Sequence, residues 1–502
     1  MALLPDATPA KAGWGSLRQL TKYQWFVFVV ACLAWDLDCM DQQLFNVARR
    51  PAMRDLVPKV QDDDPRLPAL TAKLSEESEK KGQPPPSHAK VVEAQFNADV
   101  ADGAAQATSI FLIGWAIGGI FFGIMGDRFG RVRTLMLTIL LYSVFTGLSA
   151  FSTSVLDFGI YRFMTGLGVG AVFAVAVSLV AESVPAAARP YALGLLQMSS
   201  AFGNITAATV SIVLGYLQTD GQLGEVKPWK IMFLIGILPA ILIVLIQRRL
   251  KEPPAWTQAR ADHQAGVGKQ LGSFKELFGD SRWRSRAILG VLLAFAGVVG
   301  LWGIGFFTPD LQAYVFRPTF QLEAVEKGLS GPAADGYVAG RISIWSGWTS
   351  LLLNIGAAFG IFAFSWLTPY LGRRWTFALA FVAAAASTIL VFWKLSEFND
   401  IFWMIPLMGI CQLALFGGYA IYFPELFPTR LRATGTSFCY NVGRLVAAVG
   451  PAALGLLTSQ VYSGFEHPWP FRYAGITMCA VFLIGLAVLP FLPETKDKPL
   501  PE

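Results

Sequence analysis

The sequence predicts an all-α membrane protein of twelve transmembrane helices, arranged as two six-helix bundles with pseudo-two-fold symmetry. Three observations carry that prediction. Of the 502 residues, 54% are hydrophobic and 15% charged, where soluble domains carry about 25% charged residues; lipid-facing surface has replaced water-facing surface. Apolar runs recur in series, at 25–34, 135–151, 231–246 and 481–492 among others, and with their flanks they approach the roughly 20 residues that cross a bilayer. Marker residues recur about 242 positions apart, so the second half looks like a copy of the first. The runs do not alternate polar with apolar residues, which excludes barrel strands, and lipid cannot satisfy an open sheet edge.

The elements follow in order. Residues 1–21 form a polar tail with Lys11 and Arg18 and no short apolar core ending in a small-residue cleavage site, so a retained tail is expected and not a signal peptide. The first bundle occupies 22–248, with helices expected at 23–47, 107–125, 135–151, 158–181, 191–217 and 229–246. Inside it, 49–105 is a large extracytoplasmic insertion. Its Asp62-Asp63-Asp64, Glu76-Glu77, Lys80-Lys81 and Pro84-Pro85-Pro86 leave little apolar periodicity, which predicts disorder or a short surface helix. A polar connector covers 249–286. The second bundle, 287–492, has helices expected at 288–307, 344–367, 375–393, 402–423, 433–458 and 473–492, and 493–502 is a second tail.

Sidedness follows from charge. The short connections holding Arg128, Arg131 and Arg133, then Arg373 and Arg374, then Arg430 and Arg432 are basic, whereas those around Asp157 and around Glu397 and Asp400 are not. All the basic ones fall on the side of the connector, with Arg248, Arg249, Lys251 and Lys275. Basic loops stay cytoplasmic, so both termini are expected inside, in a plasma membrane (the inner membrane if the source is bacterial). The same rule explains the net charge of +6; no basic stripe interleaved with stacking aromatics suggests nucleic acid. Five cysteines (Cys32, Cys39, Cys411, Cys439, Cys479) fall in expected spans without metal-ligand spacing. Buried thiols of that kind usually just pack, so no metal is expected.

The repeat has three anchors. Glu182, Pro185 and Arg189 are matched by Glu425, Pro428 and Arg432 at identical spacing; Gly130-Arg131 is matched by Gly372-Arg373, and Glu252 by Glu494. Two parallel six-helix halves around a membrane-normal axis, with a site at their interface, is a transporter architecture.

Chemistry concentrates in the first span. A charge at membrane depth costs at least ~2.5–3.5 kcal/mol and usually marks a relay or ligand site, and Asp36, Asp38 and Asp41 all lie there. At about 100° per residue, Asp38 and Asp41 share a face roughly 60° apart, while Asp36 points roughly 160° from Asp38. Two carboxylates so close do not both ionise cheaply, which suits Asp41 as carrier of one proton per cycle with Asp38 as partner; a structural polar cluster or helix-end cap is the competing reading. His88, His263 and His467 lie in loops or at helix ends. The proton is the coupling ion, and no cofactor is expected.

The segment Gly123-Ile-Met-Gly-Asp127-Arg128-Phe-Gly130-Arg131-Val-Arg133 resembles the cytoplasmic signature of the major facilitator superfamily, departing from it at Val132. The resemblance implies a conformational gate built from Gly123, Asp127, Arg128, Gly130, Arg131, Glu182, Arg189, Glu425 and Arg432. Pro369 stands where the second half would carry its Asp, so that latch is expected to be weak. Arg162, followed by Gly166, Gly168 and Gly170, resembles the helix 4 signature. The segments 424–435 and 492–496 resemble the metabolite, sugar and organic-ion branches. Leu37-Asp38-Cys39-Met40-Asp41 resembles the Asp-x-x-Asp of proton symporters for aromatic acids, sialate and carboxylates, which have Gly-Phe between the two Asp residues.

Helices 1 and 4 face one cavity in that fold, which implies Arg162 as counter-ion to the aspartates; an outer-end anchor that snorkels to headgroups is its alternative. Arg444, twelve residues after Arg432 and seven before Pro451, resembles the cavity arginine in helix 11 of organic-anion carriers. Its planar fork fits a carboxylate; packing against a neighbour's carbonyls is the competing role. Tyr440, Asn441, Tyr419 and Trp302 are the candidate companions, with Trp115 and Phe306 as further aromatics. Helix 5 lacks the Gly-Pro signature of antiporters, which leans toward import. The implied function is proton-coupled symport of a small organic anion, a monocarboxylate or aromatic acid, by alternating access. The partners are that anion and the lipid bilayer, and the carrier is expected to be a monomer. The alternatives are a facilitator or exporter of a neutral sugar or drug-like compound, and a non-transporting scaffold. No nucleophile–base pair, metal cluster or phosphate-cradling loop suggests an enzyme.

Overall fold

The computed structural model describes residues 14–501, apart from 81–83, 220–222, 224–225, 267–269, 448–449, 463–464 and 466–467. Those residues form helices, with no strand among them. The first six spans are α1 (Lys22–Leu56), α2 (His88–Phe129), α3 (Arg131–Ser149), α4 (Val155–Ser183), α5 (Arg189–Thr219) and α6 (Pro228–Arg249). The second six are α7 (Ser281–Glu326), α8 (Pro332–Leu371), α9 (Arg373–Lys394), α10 (Phe398–Leu426), α11 (Arg432–Ala447, continued by Gly450–Leu456) and α12 (Trp469–Phe491). Ten of the twelve are long and apolar enough by composition to cross a membrane. The other two, α5 and α11, carry Gln197, Ser199, Ser200 and Asn204, and Thr434, Ser437, Asn441 and Arg444. Both lie at the seam between the bundles.

The insertion contains the short helix that is one of its two expected states, but its ends differ from the expectation. α1 does not end near residue 47 but runs to Leu56, and α2 starts at His88, capped by Ser87 accepting from Lys90 N at 3.4 Å. A separate helix, Leu67–Lys80, lies between them. Ordering follows from packing: Met53, Leu56, Leu67, Val91 and Val100 are buried among the charges. α7 is also longer than expected. It passes through a π-helical turn at Val299–Ile304 and a 3-10 turn at Gly305–Phe307 before continuing. Glycines permit this: Gly300 lies against the Phe482 ring, and a Cβ at Gly303 would sit 3.2 Å from Gly450 Cα.

The sequence repeat is a structural one. The Glu252 carboxylate accepts from the backbone N–H groups of Arg131 (2.7 Å), Val132 (3.1 Å) and Arg133 (3.2 Å), capping α3. Glu494 does the same for α9 through Arg373 (2.9 Å) and Arg374 (3.1 Å). Each carboxylate lies where a Cβ at Gly130 (φ 117°) or Gly372 (φ 85°) would go, so glycine is required twice over. Within the bundles, Gly114 and Gly118 of α2 lie on the backbone of α4, as Gly356 and Gly360 of α8 lie on that of α10. Small residues let membrane helices approach this closely. The two bundles meet through α2 against α11 and α5 against α8.

Candidate functional site

A cavity of about 280 Å³ opens between the bundles. α1 supplies Gln42, Phe45, Asn46 and Arg49; α2 supplies Thr108, Phe111 and Trp115; α7 supplies Trp302, and α11 supplies Asn441 and Arg444. The Arg444 guanidinium lies 4.1 Å from the Trp115 ring centroid and 4.6 Å from that of Tyr440, a cation–π sandwich across the seam. Its Nε and Nη1 are buried without a hydrogen-bond partner among the described residues. Tyr440 in turn stacks on Phe173 of α4 at 4.5 Å. Asn441 donates to Gly170 O (3.1 Å) and Ser437 O (2.9 Å), which leaves its Oδ1 without a partner at the cavity wall.

Tyr419 stands apart from these residues. It is fully buried inside the second bundle, donates to Leu293 O at 2.8 Å and stacks on Phe423 at 5.1 Å. Its phenol is already satisfied there, which corrects its expected place at the cavity. The side chain of Phe306 lies outside the described residues. Arg49, Gln42, Asn46 and Thr108 were not expected at the site. The signal is in the sequence: Asp38, Gln42, Phe45 and Arg49 recur at helical spacing on one face, but the apolar run that marks the span ends before Arg49.

Asp38 and Asp41 are both fully buried. Asp38 Oδ2 accepts from Gln42 Nε2 at 2.9 Å, so one amide links it to the cavity, and it lies within electrostatic range of both Asp41 and Arg444. Asp41 faces the other way, against Thr146 of α3 and Gly236 of α6. Asp36 is directed toward Gly203 of α5. Arg162 is fully buried, not a headgroup anchor, and it is not in ion-pair contact with Asp41. It donates to Ser149 Oγ from Nε (3.1 Å) and Nη2 (2.7 Å), and lies 4.7 Å from the Phe233 ring centroid. Asp41 remains within its electrostatic range.

The signature residues close one end of the seam. Asp127 accepts from Ala433 N (3.1 Å), Thr434 N (2.8 Å) and Thr434 Oγ1 (2.6 Å), at the N-terminus of α11 in the opposite bundle, where a negative charge is favoured. It also pairs with Arg131 at 2.9 Å. Glu182 holds Arg131 (2.9 Å) from its own bundle and Arg432 (2.6 Å) from the other. Gly123 lets α11 approach: a Cβ there would sit 2.7 Å from Ser437 Cβ. Arg128 donates to Leu271 O at 3.2 Å and Trp256 to Asp127 O at 2.6 Å, so the connector covers the latch. Glu425 pairs with Arg373 at 2.8 Å, and Arg189 donates to Ala181 O at 2.9 Å, each inside its own bundle.

Two helical bundles with a small cavity between them and a charged latch at one end define a membrane carrier. Residues 86–282 match the model of the sugar (and other) transporter family and 343–502 that of the Major Facilitator Superfamily. The chain is 32% identical to the cis,cis-muconate transport protein of Acinetobacter baylyi, over 81% of this chain and 89% of that one. It is 30% identical to the niacin transporter NiaP of the same organism, over 68% and 76%. The proton:xylose symporter XylE shares the fold, with a TM-score of 0.64 at 18% identity over 95% of this chain and 98% of that one. The chain belongs to the Major Facilitator Superfamily and is a multi-pass integral membrane protein.

Proposed function

We propose that the chain is a proton-coupled symporter that accumulates a small organic acid in its anionic form, by alternating access. One observation carries the reading. Arg444 presents buried, unpartnered N–H donors in the seam cavity, and Gln42, which lines the same cavity, donates to Asp38, one of two buried aspartates of α1. A guanidinium so placed matches a carboxylate, and the neighbouring aspartates supply the proton site. The transport proteins for muconate and niacin named above support the anionic class. Asp41 takes the proton, Asp38 and Gln42 connect it to the cavity, and Arg162 responds to the charge on Asp41. With Asp41 ionised, Arg162 is drawn from Ser149; with Asp41 neutral, it rests on Ser149 and the Phe233 ring as observed. The latch end is cytoplasmic together with both termini, so the cavity takes its ligand from outside. The carrier works as a monomer.

Uptake of a radiolabelled carboxylate into proteoliposomes tests this. An inward proton gradient accelerates wild-type uptake, and Asp41→Asn abolishes accumulation while retaining exchange. Gradient dependence that survives in Asp41→Asn removes the proton assignment. Transport of neutral sugars in preference to carboxylates, insensitive to Arg444→Gln, removes the anion assignment.

A further inference from the structure

α3 carries a row of buried side-chain hydroxyls. Thr134, Thr138, Tyr142, Thr146 and Ser149 are all buried and follow one another at three or four residues. At about 100° per residue they lie within about 60° of the line through Arg131. The outer end of the row is Ser149, which accepts from Arg162. One turn in, Thr146 lies beside Asp41: a Cβ at Gly236 of α6 would touch Thr146 Cγ2 and sit 3.0 Å from Asp41 Oδ1. Tyr142 is within electrostatic range of both Asp41 and Asp38. The inner end is Arg131, held by Glu182 at 2.9 Å in the latch. One face of one helix therefore joins the buried aspartates to the cytoplasmic gate.

The repeat supplies a control. Aligned on Gly130-Arg131 and Gly372-Arg373, the five residues correspond to Thr376, Ala380, Ala384, Thr388 and Val391 of α9. Ala380 and Ala384 are buried, so this place in the bundle packs without a hydroxyl. The two threonines of α9 make the usual bond back to their own helix: Thr376 Oγ1 donates to Gly372 O at 2.6 Å and Thr388 Oγ1 to Ala384 O at 2.7 Å. Their counterparts Thr134 and Thr146, together with the Tyr142 phenol, make no hydrogen bond among the described residues. Thr138 donates to Leu135 O at 2.9 Å and can still accept. A buried hydroxyl left unpaired costs about 1–3 kcal/mol, and that cost is borne only in the bundle that carries the aspartates.

We propose that this row is the route by which Asp41 gives up its proton toward the cytoplasm. The proposal rests on Asp41 as the proton site of the symport reading. Steps of three or four residues are about 4.5–6 Å, which one bridging water spans. The Asp41 carboxyl passes its proton to Thr146. Each hydroxyl of the row then accepts a proton on its Asp41 side and gives up its own on the other. The row ends with the protons it began with, Asp41 is left a carboxylate, and one proton enters cytoplasmic water. Arg131 stops the row while the latch is shut, because its fixed charge repels a proton approaching Thr134. Parting of the bundles, which takes Arg432 from Glu182, lets cytoplasmic water reach Thr134. Proton release is thereby tied to the inward-facing state, and the gradient does not leak through the closed carrier.

Two rates test it on the full-length protein in proteoliposomes, with radiolabelled 4-hydroxybenzoate as probe and protein-free liposomes as background. One is uptake driven by an inward proton gradient, with internal acidification followed by a trapped pH dye. The other is exchange at equal pH, where no proton needs to leave Asp41. Tyr142→Phe and Thr138→Val each remove one hydroxyl at nearly the same shape. Both slow driven uptake and acidification by about tenfold or more, while exchange stays within about twofold of wild type. Thr138→Ser keeps the hydroxyl and the wild-type rates, and Thr376→Val, the equivalent loss in α9, leaves both rates unchanged. Driven uptake that is unchanged in either Tyr142→Phe or Thr138→Val overturns the relay and leaves symport standing, with the proton leaving through the cavity. Absence of acidification by wild type removes the symport reading and the relay together. If exchange falls along with driven uptake in Tyr142→Phe, the Thr138 pair decides: a loss confined to valine supports the relay, and equal rates in valine and serine overturn it.

Discussion

The two crossings between the bundles are related by the repeat but built from opposite chemistry. At α2 against α11, a carboxylate (Asp127) sits on two backbone N–H groups of the facing helix, and Glu182 is shared by two fully buried arginines from different bundles. At α8 against α5 the carboxylate and one of its two N–H donors are missing, and Glu425 reaches Arg189 of the other bundle only at electrostatic range. Pro369 replaces the carboxylate, and in the same register Pro190, which has no N–H, replaces the donor Ala433. A ring wedge takes their place. Trp14, from the short Trp14–Gln19 helix, stacks on Phe362 of α8 at 4.7 Å and meets Tyr191 of α5 at 4.8 Å. Ser16 Oγ adds a hydrogen bond to Ala187 O at 3.1 Å. The contrast teaches that one crossing is held by a charge latch while the other is a bearing closed mainly by aromatic contact. The segment expected to be a free tail supplies the bearing.

The largest effect is expected from Glu182→Gln. Two buried guanidinium groups lose their shared countercharge, and breaking a buried pair costs about 3–5 kcal/mol. Transport falls below a tenth of wild type, with a lowered thermal midpoint. Glu425→Gln, whose Arg373 lies within one bundle, lowers the midpoint but leaves the accessibility of the seam unchanged. Equal effects of the two on accessibility to a thiol reagent, in a background with a single engineered cysteine at the closed end, break the comparison.

Asp127→Asn comes next. It removes the charge from the cap of α11, and hydrogen bonds to charged groups contribute about 1.5–3 kcal/mol each. The equilibrium shifts toward opening of the latch end by about tenfold or more, read as faster labelling of the same cysteine. Trp14→Ala is expected to cost about 1 kcal/mol from lost ring contacts, lowering the midpoint by a few degrees with little change in labelling. A labelling change as large as that of Asp127→Asn makes the bearing a second latch. The double change Pro369→Asp with Pro190→Ala restores the missing partners, and is expected to raise the midpoint slightly and slow turnover severalfold. Unaltered turnover shows that the proline pair does not set the asymmetry.

The smallest effects concern the two capping glutamates, which differ in sign. Burial raises the Glu252 carboxyl above its ordinary value despite its three backbone N–H partners. For Glu494 burial acts the same way, but the backbone N–H groups of Arg373, Lys496, Arg374 and Thr495 outweigh it and hold the carboxyl below its ordinary value. A depressed carboxyl stabilises the fold above the unfolded pKa of about 4.3 and loses that contribution as pH falls from there through its native pKa. A raised one favours the fold more at acidic pH and loses that advantage as pH rises through its native pKa. Thermal midpoints from about pH 2.5 to 7 should therefore show the acid-side fall diminished in Glu494→Gln and accentuated in Glu252→Gln. Slopes that change in the same direction contradict the assignment.

The sequence by itself determined the class of fold, the repeat and the latch. Span length is imposed by the bilayer, and Gly130 with Glu252, or Gly372 with Glu494, must recur wherever the same helix end is capped. It also singled out Asp38, Asp41 and Arg444, because burying charge in hydrocarbon is costly enough to show in composition. Only the tertiary structure placed the Arg162 guanidinium on Ser149, withdrew Tyr419 into its own bundle and brought Arg49 into the cavity. The physical reason is the same in each case. Helical spacing fixes which residues share a face, but the register between helices from distant parts of the chain decides what that face meets, and a mixed-charge stretch such as 49–66 orders only once its few apolar residues find a partner helix.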